Sequence, residues 1–130
     1  TIFNPAPAQK LDEEFLEYVN WLIPNEIEFE VISGMKVNDE NLINFKKEIP
    51  SNLLVTLGEN GAVLVKDDSV LYFDAPKVNV VDTTGAGDAF IGAFAFGLSS
   101  SESLDKSIEL AVEKASLSVT KKGTQSSYLN

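Results

Sequence analysis

The chain contains no cysteine, no histidine and no arginine. Without cysteine there is neither a disulfide nor a thiolate zinc site. Without histidine, acid–base work falls to carboxylates, lysine or tyrosine. Ten lysines face twenty Asp and Glu, a net charge of −10, which argues against nucleic acid or an anionic membrane surface as partner. It leaves a nucleotide open, because one local electropositive turn outweighs a diffuse negative field. No apolar run approaches membrane length and no signal peptide is visible, so the expected setting is cytoplasmic. An initiator Met is also missing, and Thr1-Ile2-Phe3 reads as the end of a strand. The expectation is one domain over residues 1–130 that is part of a longer protein. Hydrophobic residues, 44% of the chain, suffice for a core.

In order, Thr1-Ile2-Phe3 meets Asn4-Pro5-Ala6-Pro7-Ala8, where two prolines forbid helix and predict an extended loop. Leu11, Phe15, Leu16 and Val19 repeat at helical spacing behind an acidic first turn. Trp21-Leu22-Ile23 reads as a buried strand end. A helix follows through Ile27, Phe29, Val31 and Ile32 and closes at Gly34; Asn25 and Glu28 stand as N-cap and capping-box partner at its start. Another helix is expected over Asn38 to Glu48. Leu53 to Leu57 reads as a central parallel strand buried on both faces. After the Gly58-Glu59-Asn60-Gly61 turn, Ala62–Lys66 and Val70–Phe73 predict a small antiparallel meander. Late in the chain, Ala86–Leu98 is apolar nearly all round and is expected to be buried, with Gly92 and Gly97 marking close packing. The last helix carries Leu104, Ile108, Ala111, Val112, Ala115 and Val119 on one stripe and ends near Lys121-Lys122-Gly123. Short strands alternating with helices predict an α/β fold, a parallel sheet with helices over it.

The distinctive stretch lies between. The apolar run Val78–Val81 stops at Asp82, and Thr83-Thr84-Gly85-Ala86-Gly87-Asp88 leads into the apolar helix. Glycines let backbone approach a ligand, and unpaired N–H groups at a helix start favour an anion. Asp88 is the odd member. It either complements the helix dipole or removes a proton from an attacking hydroxyl beside a phosphate. The dinucleotide fingerprint fails, since Phe90 occupies its third glycine position, and no Gly-Lys exists for a P-loop.

Asp82-Thr-Thr-Gly-Ala-Gly-Asp88-Ala-Phe resembles the C-terminal signature of the ribokinase family of carbohydrate kinases. Asn4-Pro-Ala-Pro-Ala, Asn25-Glu-Ile-Glu28, Thr56-Leu-Gly-Glu-Asn-Gly61 and Val119-Thr-Lys-Lys-Gly-Thr-Gln125 resemble further family segments, in the family's order. The resemblance implies a Rossmann-like α/β fold and phosphoryl transfer from ATP to a sugar hydroxyl, with ribose favoured. Adenosine, fructose phosphates and modified nucleosides are other acceptors in the family. It implies Asp88 as catalytic base and the N–H groups of Gly85, Ala86 and Gly87 as the hole for the transferred phosphoryl. Asn25 and Glu28 would organise Mg²⁺ and phosphates. Thr56, Leu57, Gly58, Glu59, Asn60 and Gly61 would form the nucleotide turn, with Gly87 and Asp88 also near the nucleotide. Asp82 and Thr84, with Ser118, Lys121, Gly123 and Ser127, would form an activating K⁺ site. Val112 departs from the family, which often carries a polar residue near the base. Family members are longer, with sugar-binding residues and a lid, through which relatives often form homodimers, in an N-terminal half. This chain is therefore expected to be the nucleotide part, inactive on sugar alone. A non-catalytic nucleotide-sensing module is the rival, which the intact Asp88 speaks against.

Overall fold

A computed structural model of the chain describes residues 1–4 and 13–120, the side chain of residue 13 excepted. The proline loop after Asn4, the first residues of the first expected helix and the Lys121–Asn130 segment lie outside the described residues. The chain divides into two compact units, Thr1–Gly58 with Ala62–Tyr72, and Glu59–Gly61 with Phe73–Asn130.

The first unit is built on a five-stranded sheet whose spatial order follows the sequence: β1 (Ile2–Phe3), β2 (Trp21–Leu22), β3 (Asn52–Thr56), β4 (Ala62–Val65) and β5 (Val70–Phe73). β1, β2 and β3 run parallel, with Phe3 level with Leu22 and Leu22 level with Leu53. β3 and β4 run antiparallel. Leu53, Leu54 and Val55 are fully buried, as a continuous run of strand formers requires. β3 is parallel on one side only, a correction to the reading of a central parallel strand. The short 3-10 turn Gly58–Asn60 cannot carry the crossover that a parallel neighbour needs.

Three helices accompany this sheet: α1 (Glu13–Leu16), α2 (Glu26–Ser33) and α3 (Asp39–Lys47). Their core with the sheet contains Phe29, Leu42 and Phe45 against Leu22, Leu53, Val55 and Val63. The Phe29 and Phe45 rings meet edge-on at 5.3 Å. α2 ends on Gly34 in the left-handed conformation, as expected. Its apolar pattern was misleading, however. Phe29 is buried, but Ile27 is 71% exposed and Val31 lies outside too, because only one flank of this two-turn helix meets the sheet.

Asn38 caps α3 by accepting from the Asn41 N–H at 2.8 Å. The Tyr72 hydroxyl donates to the Asp39 carboxylate in the first turn of α3. That bond, burial and the Asp39 charge raise the Tyr72 phenol from 10 to about 12. The neutral phenol is the bonded form, so its stabilisation is complete below pH 10 and is lost as pH rises through 12. In an alkaline difference titration one tyrosine is expected near the top of that range. Asp39→Asn should return it towards 10, and an unchanged curve would refute the pairing.

The second unit contains the helical hairpin of α4 (Ala86–Ser99) and α5 (Leu104–Ser118). Phe90, Phe94 and Gly97 of α4, and Ser107, Ile108, Ala111 and Val112 of α5, are buried. Gly97 is a true contact glycine, since a Cβ there would stand 2.6 Å from Ser107 Oγ. Gly92 is not: nothing lies within 4 Å of its missing Cβ. Nor is α4 buried all round, because Phe96 is 64% exposed. One flank of α4 packs, while Asp88, Gly92, Phe96 and Ser99 lie along an exposed stripe. Val78–Val81 forms no described strand, and Val80 and Val81 are exposed.

Candidate functional site

In the first unit two of the sequence motifs meet. The chain continues past β2 through Ile23 and Pro24. The Thr56 N–H donates to the Pro24 carbonyl at 2.9 Å, and Asn25 pairs with Thr56 in an isolated parallel bridge. Asn25 and the Thr56 turn thus stand side by side at the carboxyl ends of adjacent parallel strands, where ligands bind in open α/β sheets. Asn25 Oδ1 accepts from the Glu28 N–H, and Glu28 Oε1 accepts from the Asn25 N–H, both at 2.8 Å. This reciprocal cap is worth about 1 kcal/mol to α2. It also occupies the helix start with the protein's own oxygens, so this end of α2 has little to offer an anion.

Glu28 is buried, at 9% exposure. A buried carboxylate needs a cation or several donors, yet the salt bridge among the described residues is elsewhere, Lys46 with Asp67. The described residues hold no cluster of three or more acidic, His or Cys side chains. A lone buried carboxylate of this kind suits Mg²⁺, which keeps most of its waters and shares its remaining positions with phosphate oxygens.

Beyond Thr56, Leu57 is buried in the core, so its side chain is structural. Gly58 is left-handed at φ +60° and opens the exposed Gly58–Asn60 turn that carries Glu59 and Asn60. Gly61, at φ +92°, passes so close to the β5 exit that a Cβ would lie 1.8 Å from the Phe73 carbonyl oxygen.

The second unit holds the other motif. The Thr84 N–H donates to Asp82 Oδ1 at 2.8 Å, folding the approach to α4 into a tight turn. Gly85 is the N-cap in the left-handed conformation, φ +83°, and supplies no side-chain bond. The Ala86 N–H donates to the Thr83 carbonyl at 3.2 Å, and the Ala89 N–H to that of Gly85 at 2.9 Å. The Gly87 and Asp88 N–H groups fall in the first turn, ahead of the helical series. The exposed Asp88 carboxylate sits in the same turn. This arrangement is the opposite of α2: its start carries no side-chain cap, with an acid beside it.

Asp82 also meets the far end of α5. The Val81 and Asp82 N–H groups donate to the Val119 carbonyl at 2.7 and 3.1 Å, next to Ser118. Of the residues expected around K⁺, Asp82 and Thr84 are joined through the Asp82 carboxylate, while the Ser118 hydroxyl donates to the Ala115 carbonyl of its own helix at 2.7 Å. Lys121, Gly123 and Ser127 lie outside the described residues. A shallow cleft of about 580 Å³ beside this junction is lined by Lys77, Val78, Asn79, Val81 and Thr120. Sequence reasoning passed over this lining, because an apolar run gives no sign of standing open.

A family model described as pfkB family carbohydrate kinase matches residues 1–130. The chain belongs to that family. It is 42% identical over 124 residues to the ribokinase of Lactococcus lactis, covering 95% of this chain and 40% of the relative. It is 41% identical over 133 residues to the deoxyribokinase of Salmonella typhi, covering 98% of this chain and 44% of the relative. Among solved structures, ribokinase from Thermotoga maritima superposes with a TM-score of 0.85 at 37% identity, over 97% of this chain and 44% of that one. The chain thus spans less than half the length of these pfkB-family relatives.

Proposed function

We propose that residues 1–130 form the nucleotide-binding part of an ATP-dependent sugar kinase, with D-ribose as the favoured acceptor. The start of α4 carries this reading: donors with no side-chain cap and an acid share one turn. In a pure anion cradle Asp88 would repel the phosphate. In a kinase its carboxylate takes the proton of the sugar hydroxyl as the new O–P bond forms and the bond to the departing ADP breaks. The first-turn N–H groups of Gly87 and Asp88 hold the charge on the transferred phosphoryl, each fixed donor contributing on the order of 3 kcal/mol, whereas the Ala86 N–H expected in the same hole is held by the Thr83 carbonyl. Asn25 and Glu28 would hold Mg²⁺ through water, where it would neutralise phosphate charge. Asp82, Thr84 and Ser118 would hold K⁺ and fix the turn without touching substrate. The cleft at Val78 and Val81 offers apolar walls for a base.

Ribose is favoured by the Asn4-Pro-Ala-Pro-Ala segment and by relatives named ribokinase. The Arabidopsis ribokinase structure, described as complexed with ribose and ATP, superposes with a TM-score of 0.86 at 29% identity. Deoxyribose is the second reading, from the Salmonella relative. We place the complete kinase in the cytoplasm.

Calorimetric titration of this chain with a non-hydrolysable ATP analogue and Mg²⁺ tests the reading. Binding that tightens when K⁺ replaces a large organic cation is expected, with no ribose-dependent ADP release. A cooperatively melting sample that ignores the analogue in either salt would refute it.

A further inference from the structure

Asn60-Gly61 is the one Asn-Gly pair in the sequence. An asparagine before glycine is prone to cyclise, because glycine has no side chain to shield its nitrogen or to bar the backbone from the conformation that attack needs. The Asn60 side chain is exposed, and among the described residues no protein group hydrogen-bonds it. Other asparagines are tied. Asn25 and Asn38 accept from backbone N–H groups of their own helices, and Asn20 accepts from the chain's amino group. Asn41 and Asn52 donate to backbone carbonyls. Each of these five is also followed by a bulkier residue: Trp21, Glu26, Asp39, Leu42 or Leu53.

Nor does the fold tolerate another residue at position 61. Gly61 stands at φ +92°, and a Cβ there would lie 1.8 Å from the Phe73 carbonyl oxygen. The same close approach thus keeps the attacking nitrogen bare. Gly58–Asn60 is a single 3-10 turn, and so short a helix opens readily to give the side chain its line of attack. We infer that Asn60 is a self-modification site, converting to aspartate and isoaspartate with water as co-reactant. The Gly61 nitrogen loses its proton to solvent base and bonds to Asn60 Cγ. The bond from Cγ to the side-chain nitrogen breaks, and that nitrogen takes a proton from water and leaves as ammonia. Water then opens the succinimide ring. Opening between the Gly61 nitrogen and Cγ gives aspartate; opening between that nitrogen and the main-chain carbonyl carbon gives isoaspartate. Either product places a negative charge on the turn. Isoaspartate also lengthens the main chain by one methylene, where the approach of Gly61 to Phe73 leaves no slack. The consequence for function rests on the proposed kinase reading, in which this turn faces the nucleotide: the modified chain binds it more weakly.

The test is to hold the folded chain at mildly alkaline pH, sample it over time and cleave each sample after lysine. The fragment Glu48–Lys66 carries Asn60 together with Asn52 of β3 as its internal comparison. Mass spectrometry with fragmentation that distinguishes isoaspartate is expected to find both products at Asn60 while Asn52 stays intact. Fully converted chain should bind the ATP analogue with Mg²⁺ about tenfold more weakly, the scale of one added charge near a bound anion. Asn60→Gln, whose longer side chain closes the corresponding ring far more slowly, should keep its own starting affinity through the same incubation. Conversion of Asn60 no faster than that of Asn52 would mean that the turn withholds its nitrogen, and overturns the inference. Conversion without loss of affinity, or a loss that Asn60→Gln shares, overturns the functional consequence. A fresh, cooperatively melting chain that ignores the analogue brings down the kinase reading, and that consequence with it, while the mass measurement still decides the modification.

Discussion

Gly61→Ala is expected to destabilise the chain by about 2–5 kcal/mol, combining left-handed strain with overpacking. The new Cβ would lie 1.8 Å from the Phe73 carbonyl oxygen and 2.9 Å from the Ala75 nitrogen, both backbone atoms that no rotamer can move. Against a total stability of about 5–15 kcal/mol, such a loss leaves a substantial unfolded population. Gly58→Ala is the internal control. It shares the positive φ, at +60°, but nothing stands within 4 Å of its missing Cβ. It should lose only about 1–2 kcal/mol. Urea denaturation of the two variants separates the contributions, and equal losses would show that the close approach at Gly61 carries no cost of its own. The two glycines open and follow the same turn, yet one is needed for its dihedral and the other also for space.

Asp88→Asn is expected to lower phosphoryl transfer by the complete kinase by about 10²–10⁴-fold, the usual contribution of a positioned proton acceptor. Analogue affinity of this chain should hold or improve, because a negative charge is removed from beside the bound phosphates. Stability should fall by no more than about 1 kcal/mol, the worth of an acid in a first helical turn. Single-turnover kinetics and calorimetry read the two effects separately. If transfer falls only in step with a loss of affinity, Asp88 serves the helix dipole and not the chemistry.

Much of the local structure was legible because caps and turns are written in short-range chemistry. Asn25 with Glu28 forms the expected capping box, Asn38 caps the helix after it, and Gly34 takes the left-handed exit. The polar link from Ser99 to Ser103, by contrast, offered several possible caps, of which Ser103 is the one used. The glycine turn before α4 likewise declared its geometry through Asp82, Gly85 and Asp88. Coverage was the illegible part. Periodicity tells which residues share a face, but not whether anything lies over that face. Ile27, Phe96 and Gly92 look like packing positions in one dimension and stand open in three.

The left-handed Gly85 leaves α4 without a side-chain cap, and that has a dynamic consequence. A helix lacking a cap frays from its first turn, so the amide hydrogens of Gly87 and Asp88 should exchange rapidly with solvent in the free chain. An anion seated there accepts those hydrogens and becomes the cap the sequence omits. Occupancy and helix order at this end are then one equilibrium, and exchange protection of two amides reports directly on whether the ligand is in place.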